Sequence, residues 1–337
     1  MVVNLRKVVL ICFALSIGFI LIAMLSISLG TADIGLTKIM KGIIEGTADP
    51  ALGWKDTDKV IILQIRLPRI ILAAIVGFSL SVAGVVFQAL FRNPLADPYI
   101  LGISSGSAVG AILAIITGAG LSFLSIPAAS FCGALLTIIL VLGIARTGYG
   151  FHTNTLLLAG VIVGFFFSAV IMFLVSITRD ERIHSIIFWL MGDFSLSKYS
   201  EILIVAPLVI IGFCIIYLYA HPLNLIVVGE ETALQLGIEV EKVKRLLLIV
   251  ASLMTGVVVS VSGVIGFVGL IVPHMMRMVF GSDHRLLLPA SGLFGLSFLV
   301  IADTIARTVL APVELPVGVI TAIFGAPFFI YLLRRKR

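Results

Sequence analysis

Asp303 and Arg307 stand four residues apart at the end of a long apolar run. An acid at membrane depth is a candidate for moving protons or ions. The four-residue spacing, however, puts both side chains on one helix face, where a structural ion pair is the stronger reading. His274, next to Pro273, reads as a satisfied interfacial histidine ahead of a metal ligand. The three cysteines (Cys12, Cys132, Cys214) lie far apart in apolar runs, with neither disulfide nor zinc spacing. No H-E-x-x-H, G-x-S-x-G or Walker lysine loop occurs, so no catalytic and no metal-binding residue is assigned. The chemistry such a chain supports is passage, with no bond broken by the chain itself.

The elements that must position these groups follow from composition. Of 337 residues, 60% are hydrophobic and 12% charged, about half the charged share of a soluble domain. A water-soluble chain of this length buries only about 75% of its surface on folding and could not hide so much apolar area. A cytosolic enzyme and a nucleic-acid binder are excluded despite the net charge of +6. A spanning helix needs about 20 apolar residues, and a transmembrane barrel would alternate in short segments. The long uninterrupted runs therefore predict an all-α polytopic membrane protein of about ten helices, forming one domain over residues 1–337.

The first span, Val8 to Leu29, follows Arg6 and Lys7 and is longer than a signal-peptide core, which places the N-terminus in the cytoplasm. Ile34, Ile39, Ile43 and Ile44 suggest an interfacial helix. Further spans are Ile70 to Phe91, Tyr99 to Thr117, Leu121 to Ala145, Leu156 to Ile177, Ile202 to Tyr219 and Leu286 to Ile305, with Val317 to Leu333 the last. Two prolines mark Arg92 to Pro98 as a tight connection. Ile186 to Leu190 is expected along the outer membrane surface. The charge-free stretch Leu246 to Val272 is too long for one span and too short for two. Its glycines permit a broken or re-entrant path. The stretch Gly77 to Pro94 repeats weakly as Gly256 to Pro273.

Two stretches have functional readings beside plain ones. The small residues Gly102 to Ser107 suit either close helix contact or a pathway lined by hydroxyls such as Ser104 and Ser105. In the polar stretch after His221, Gly229 to Gly237 reads as a short helix stopped by glycine, and Ile238 to Arg245 as a second.

Four blocks carry a resemblance. They are Arg66-Leu67-Pro68-Arg69 with Gly77 to Gly84; Gln88 to Gly102, containing Arg92-Asn93-Pro94-Leu95-Ala96-Asp97-Pro98; Gly263 to His274; and Ala302 to Arg307 joined to Glu314 to Gly318 and Gly325 to Phe329. The chain resembles, over nearly its whole length, the permeases of type II ABC importers for iron-siderophore, haem and cobalamin.

The resemblance implies a homodimer in the cell membrane with both termini cytoplasmic. Its partners would be two ATP-binding subunits, which carry ATP and Mg, an extracytoplasmic substrate-binding protein and membrane lipid; no cofactor is expected on this chain. It also implies that Leu246 to Val272 is one span followed by the start of a short broken one. Residues 229–245 become a cytoplasmic coupling-helix pair, with Gly229, Glu230, Glu231, Ala233, Leu236 and Gly237 against the ATPase. Arg66, Arg69 and Arg307 become outward-facing arginines that receive acids of the binding protein. Asn93 and Leu95, with Thr153 and Asn154, become the cytoplasmic gate, although His152 departs from the small polar residue expected there. Ferric siderophore is the first substrate expected, with haem, cobalamin and an oxyanion behind it. An ion-coupled secondary transporter acting without an ATPase is the competing reading, and Asp303 is its only support.

Overall fold

The computed structural model describes residues 4–30, 56–118, 125–147, 150–151 and 153–335. The isoleucines at 34–44 and His152 lie outside them. Helices α1 (Leu5–Ser28), α2 (Leu67–Leu90), α3 (Ile103–Thr117), α4 (Ser125–Ala145) and α5 (Thr153–Ser176) come first. A turn at Asp56–Val60 and a π-helical stretch at Ile61–Arg66 lead into α2. Then follow α6 (Asp180–Met191), α7 (Tyr199–Leu218), α8 (Ala220–Val228) and α9 (Glu230–Gln235). The chain closes with α10 (Val240–Ser262), α11 (Val268–Phe280), α12 (His284–Thr308) and α13 (Val317–Arg335). A two-residue antiparallel pairing, Arg146–Thr147 with Gly150–Phe151, precedes α5.

Among the described residues, seven helices are long and apolar enough to cross a membrane, and α3, α11 and the Val317–Tyr331 part of α13 are shorter apolar helices. At 1.5 Å per residue, fifteen residues reach only about 22 Å, short of the roughly 30 Å hydrocarbon core. Both α3 and α11 start inside the protein, where Ile103 and Val268 are fully buried. Ahead of α3, Pro98 lies against Gly269, which itself meets Leu80 and Gly84 of α2 well within that helix. The stretch 246–272 resolves as the end of α10, a five-residue break at 263–267, and the start of α11. Gly263 at φ 68° and Phe267 at φ 71° make the break.

The core centres on α2, buried along most of its length and packed against α10, α11 and α12. Glycines let these helices touch backbone to backbone. A Cβ at Gly77 would lie 2.2 Å from the Gly295 carbonyl oxygen, and one at Gly84 only 1.9 Å from that of Gly269. The patch 102–107 is used the same way, since a Cβ at Gly106 would overlap Thr137 and Gly133 of α4. Proline leaves the carbonyl four residues earlier without its amide partner, and side chains supply the missing donors. The Gln88 amide donates to Gly269 and Leu270 opposite Pro273, and the Tyr217 hydroxyl to Arg285 opposite Pro289. The two repeat stretches diverge at their ends, with Pro94 in a turn and Pro273 inside α11.

Two expectations change. Ile238 to Arg245 is not a second short helix: Val240, Val243 and Leu247 are buried at one helical repeat, so the apolar face runs straight into α10. The partner of α9 is α8 instead, where Leu223 and Ile226 face inward. The segment Ile186 to Leu190 does not simply lie on a surface either. Ile186 is fully buried with Ile112 and Leu174, which seats α6 on α3 and α5, while Ile187 and Met191 stay exposed.

Candidate functional site

Two ends of the bundle carry the charged groups. At one end, α1 and α12 finish and α2 and α13 begin. There Asp303, 1% exposed, receives the Arg69 guanidinium: Nε lies 3.0 Å from both carboxylate oxygens and Nη2 2.9 Å from Oδ1. The other Arg69 nitrogen, Nη1, reaches Glu314 Oε2 at 2.6 Å in the loop before α13. Arg307, the partner that the four-residue spacing suggests, is only 3.9 Å from Asp303. Its guanidinium instead donates to the carbonyls of Ser26 and Leu29 and to the Ser26 hydroxyl. Arg66 donates to Ile27 O at 2.6 Å, and Ser26 meets Thr304 at 2.7 Å. Those carbonyls belong to the last turn of α1, where no helical N–H reaches them. Together these groups clasp α1 to α2 and α12.

What changes in the expectation of outward-facing arginines is their exposure: Arg66, Arg69 and Arg307 are 4%, 5% and 5% exposed, so they are not free cations at a rim. Their charge is taken up by Asp303, Glu314 and the end of α1. Glu314, with its side chain 43% exposed, links this cluster to solvent.

At the opposite end α8 and α9 form a platform across the ends of α2, α10 and α12. Glu230 Oε1 lies 3.1 Å from Lys244 Nζ of α10 and 3.4 Å from Arg92 Nη2, just beyond α2. Arg92 also donates to Ile226 O of α8. Asn224 donates to Asp283 at 2.9 Å and accepts from the His284 backbone at 2.8 Å, which fixes α8 to the start of α12. The stop of α9 is a Schellman motif. Gly237 has φ +83°, its N–H donates to Leu234 O, and Ile238 N–H donates to Ala233 O. Ala233 is buried under the platform, whereas Leu234 and Leu236, 58% and 61% exposed, face outward with Glu231. Gly229 joins the two helices in extended backbone.

The Arg285 guanidinium beside Asp283, helped by the Asn224 amide and opposed by burial, holds the Asp283 carboxyl well below the usual carboxylate range. A carboxylate with a lowered folded value stabilises fully above its unfolded pKa of about 4 and loses that contribution as pH falls. The amides of α8 should therefore exchange about fivefold faster, corrected for intrinsic rate, at pH 3 than at pH 6. Asp283→Asn should abolish that difference in a hydrogen-exchange measurement.

The turn expected as a gate leaves the platform end directly after Arg92. Asn93 Oδ1 accepts from Leu95 N–H at 2.9 Å, and Asp97 Oδ1 caps a short 3-10 turn at Pro98–Leu101 through Tyr99 N–H. Leu95 is exposed, Ser104 buried and Ser105 half-buried. The turn packs on α5, where a Cβ at Gly160 would lie 2.6 Å from Ile100 O. Asn154 is exposed at the start of α5, and among the described residues no hydrogen bond joins it to Asn93 or Leu95; the Thr153 side chain lies outside the described residues. Sequence reasoning missed Arg92, Lys244, Asn224 and Asp283 as anchors of the helix pair. Arg92, a lone cation before the Asn-Pro turn, was the one signal available for them. Among the described residues, no group of three or more His, Cys, Asp or Glu is placed to hold a metal.

The model of the FecCD transport family matches residues 18–335. The chain is 48% identical over 284 residues to the cobalamin import system permease protein BtuC of Halobacterium salinarum, covering 84% of this chain and 76% of that one. It is 38% identical over 327 residues to the hemin transport system permease protein HmuU of Yersinia pestis, covering 96% of each. A solved structure described as a metal-chelate type ABC transporter in an inward-facing conformation matches with a TM-score of 0.85 at 32% identity, covering 96% of this chain and 99% of that one.

Proposed function

This chain belongs to the FecCD transport family, and from that premise we propose that it is the membrane-spanning half of a homodimeric, ATP-driven importer of a metal chelate. Permeases of the metal-chelate, cobalamin and haem type work with an ATP-binding subunit and a substrate-binding protein, and both are partners here. The observation that carries the reading is the platform of α8 and α9. It is tied by Glu230 and Asn224 to α2, α10 and α12, and it presents Leu234 and Leu236 outward. A rigid pair fixed to three spanning helices converts closure of an ATPase beneath it into a rigid-body shift of those helices. Lys242, Lys244 and Arg245 at this end favour the cytoplasmic side. The clasp end then faces outward, and an acid of the binding protein would dock by taking Arg69 Nη1 from Glu314.

Ferric siderophore, haem and a corrinoid are the chelates to assay, since relatives named for cobalamin, hemin and iron chelatin share 38–48% identity with the chain. The test is co-purification with the ATPase, then uptake of each labelled chelate into liposomes loaded with ATP, the binding protein being supplied outside. Gly237→Pro removes the Gly237 N–H and cannot hold φ +83°. It should leave membrane insertion intact and lower uptake at least about tenfold. Wild-type uptake in that variant, or solute movement by the lone chain without ATP, would overturn the proposal.

A further inference from the structure

We propose that Tyr99 is a positioning residue for transport: its hydroxyl ties the gate turn at 93–102 to the α10–α11 break, so the two move as one. The inference rests on reading Asn93 and Leu95 as the gate. The break at 263–267 is non-helical backbone beside the start of α11, so its peptide groups lack helical partners, and Gly263 and Ile265 within it are buried. At Ile265, whose side chain is fully buried, one hydroxyl supplies both partners. Tyr99 OH donates to Ile265 O at 2.8 Å and accepts from Ile265 N–H at 3.2 Å. At its other end Tyr99 belongs to the gate turn, because its own N–H donates to Asp97 Oδ1 at 2.9 Å.

The break is held just as firmly from the outer side. Asp193 N–H donates to Ser262 O at 2.9 Å, Val264 N–H lies 3.4 Å from Trp189 O, and Val317 N–H donates to Gly192 O at 3.0 Å. A Cβ at Gly263 or Gly318 would come within 2.1 Å of the carbonyl of Trp189 or Met191. The end of α6, the break and the start of α13 thus form one knot. Below it, Pro98 also touches Gly269, but that contact is van der Waals and tolerates sliding, whereas the two hydrogen bonds of Tyr99 are directional. A displacement of α6 or α13 on the outer side reaches the gate turn through this hydroxyl.

Spatial continuity alone does not establish coupling, so the test reads both segments. Tyr99→Phe removes the hydroxyl and keeps the ring. In the full-length chain in lipid nanodiscs, amides at 93–97 and 263–267 should both exchange about five- to tenfold faster, the range open to loss of one or two buried hydrogen bonds. Tyr199→Phe, which removes an exposed tyrosine–carbonyl bond from Tyr199 OH to Leu63 O, should leave both segments unchanged. With partners assembled, Tyr99→Phe should keep ATPase activity within about twofold while chelate moved per ATP falls about tenfold. Faster exchange at the break alone, or uptake and ATPase falling together, would overturn the tie. If the wild-type assembly moves no chelate, the functional reading fails and the exchange arm still decides the tie.

Discussion

Asp303→Ala should destabilise the folded chain by about 3–5 kcal/mol, the cost of removing one partner from a buried ion pair. Asp303 is bound through three nitrogen–oxygen contacts of 2.9–3.0 Å to an arginine that is itself 5% exposed. Without it, among the described residues, Arg69 keeps only the half-exposed Glu314, and Arg307 loses the carboxylate 3.9 Å away. Burying well-packed apolar groups in place of an ion pair is often neutral. The double variant Arg69→Met/Asp303→Leu should therefore recover most of the loss. Unfolding in mixed micelles on titration with denaturing detergent gives both numbers. A cost below about 1 kcal/mol for Asp303→Ala would show that the clasp is not what holds this end together.

Gly84→Ala should cost at least about 3 kcal/mol, the upper end of overpacking penalties. The added methyl would sit 1.9 Å from the Gly269 carbonyl oxygen, where the obstacle is backbone and no rotamer relieves it. Separating α2 from α11 would also stretch the Gln88 bonds to Gly269 and Leu270, stranding a carbonyl that Pro273 already leaves without its amide. Gly18→Ala in α1 is the control, since nothing lies within 4 Å of its added carbon. There the helix propensity of alanine should stabilise by about 0.5–1 kcal/mol. Equal melting temperatures for the two variants would refute the contact.

The spans were legible because an apolar run of about twenty residues has few other fates. The break after α10 was legible as well, since glycines in a charge-free stretch of that length admit an interrupted path. The helix pair was read one helix too late. Polar residues at 239–245 hid the buried repeat of Val240, Val243 and Leu247, and Leu223 and Ile226 of α8 were too few to display theirs. The burial of the arginines was hidden for a different reason. The resemblance gives them a direction but no partner within the chain, and what buries Arg69 is a carboxylate 234 residues further along the chain. The local spacing of Asp303 and Arg307 pointed to the nearer, weaker partner. The anchors of the platform shared that obstacle: Asn224 meets Asp283 across 59 residues, and no local pattern announces it.

The clasp on α1 has a consequence measured in time. α1 packs along the core with Val8, Ile11, Leu15, Phe19 and Ile22 only half-buried, and its last turn is fastened to α2 and α12 through Ser26, Ile27 and Leu29. Thr304, which Ser26 meets, is 278 residues later. At a synthesis rate of about 5–20 residues per second, α1 waits on the order of 15–60 s for that partner. During that interval it must be a stable lipid-embedded helix by itself, as independent insertion before association requires. An uninterrupted, uncharged sequence from Val8 to Leu29 is what a helix that must wait alone would need.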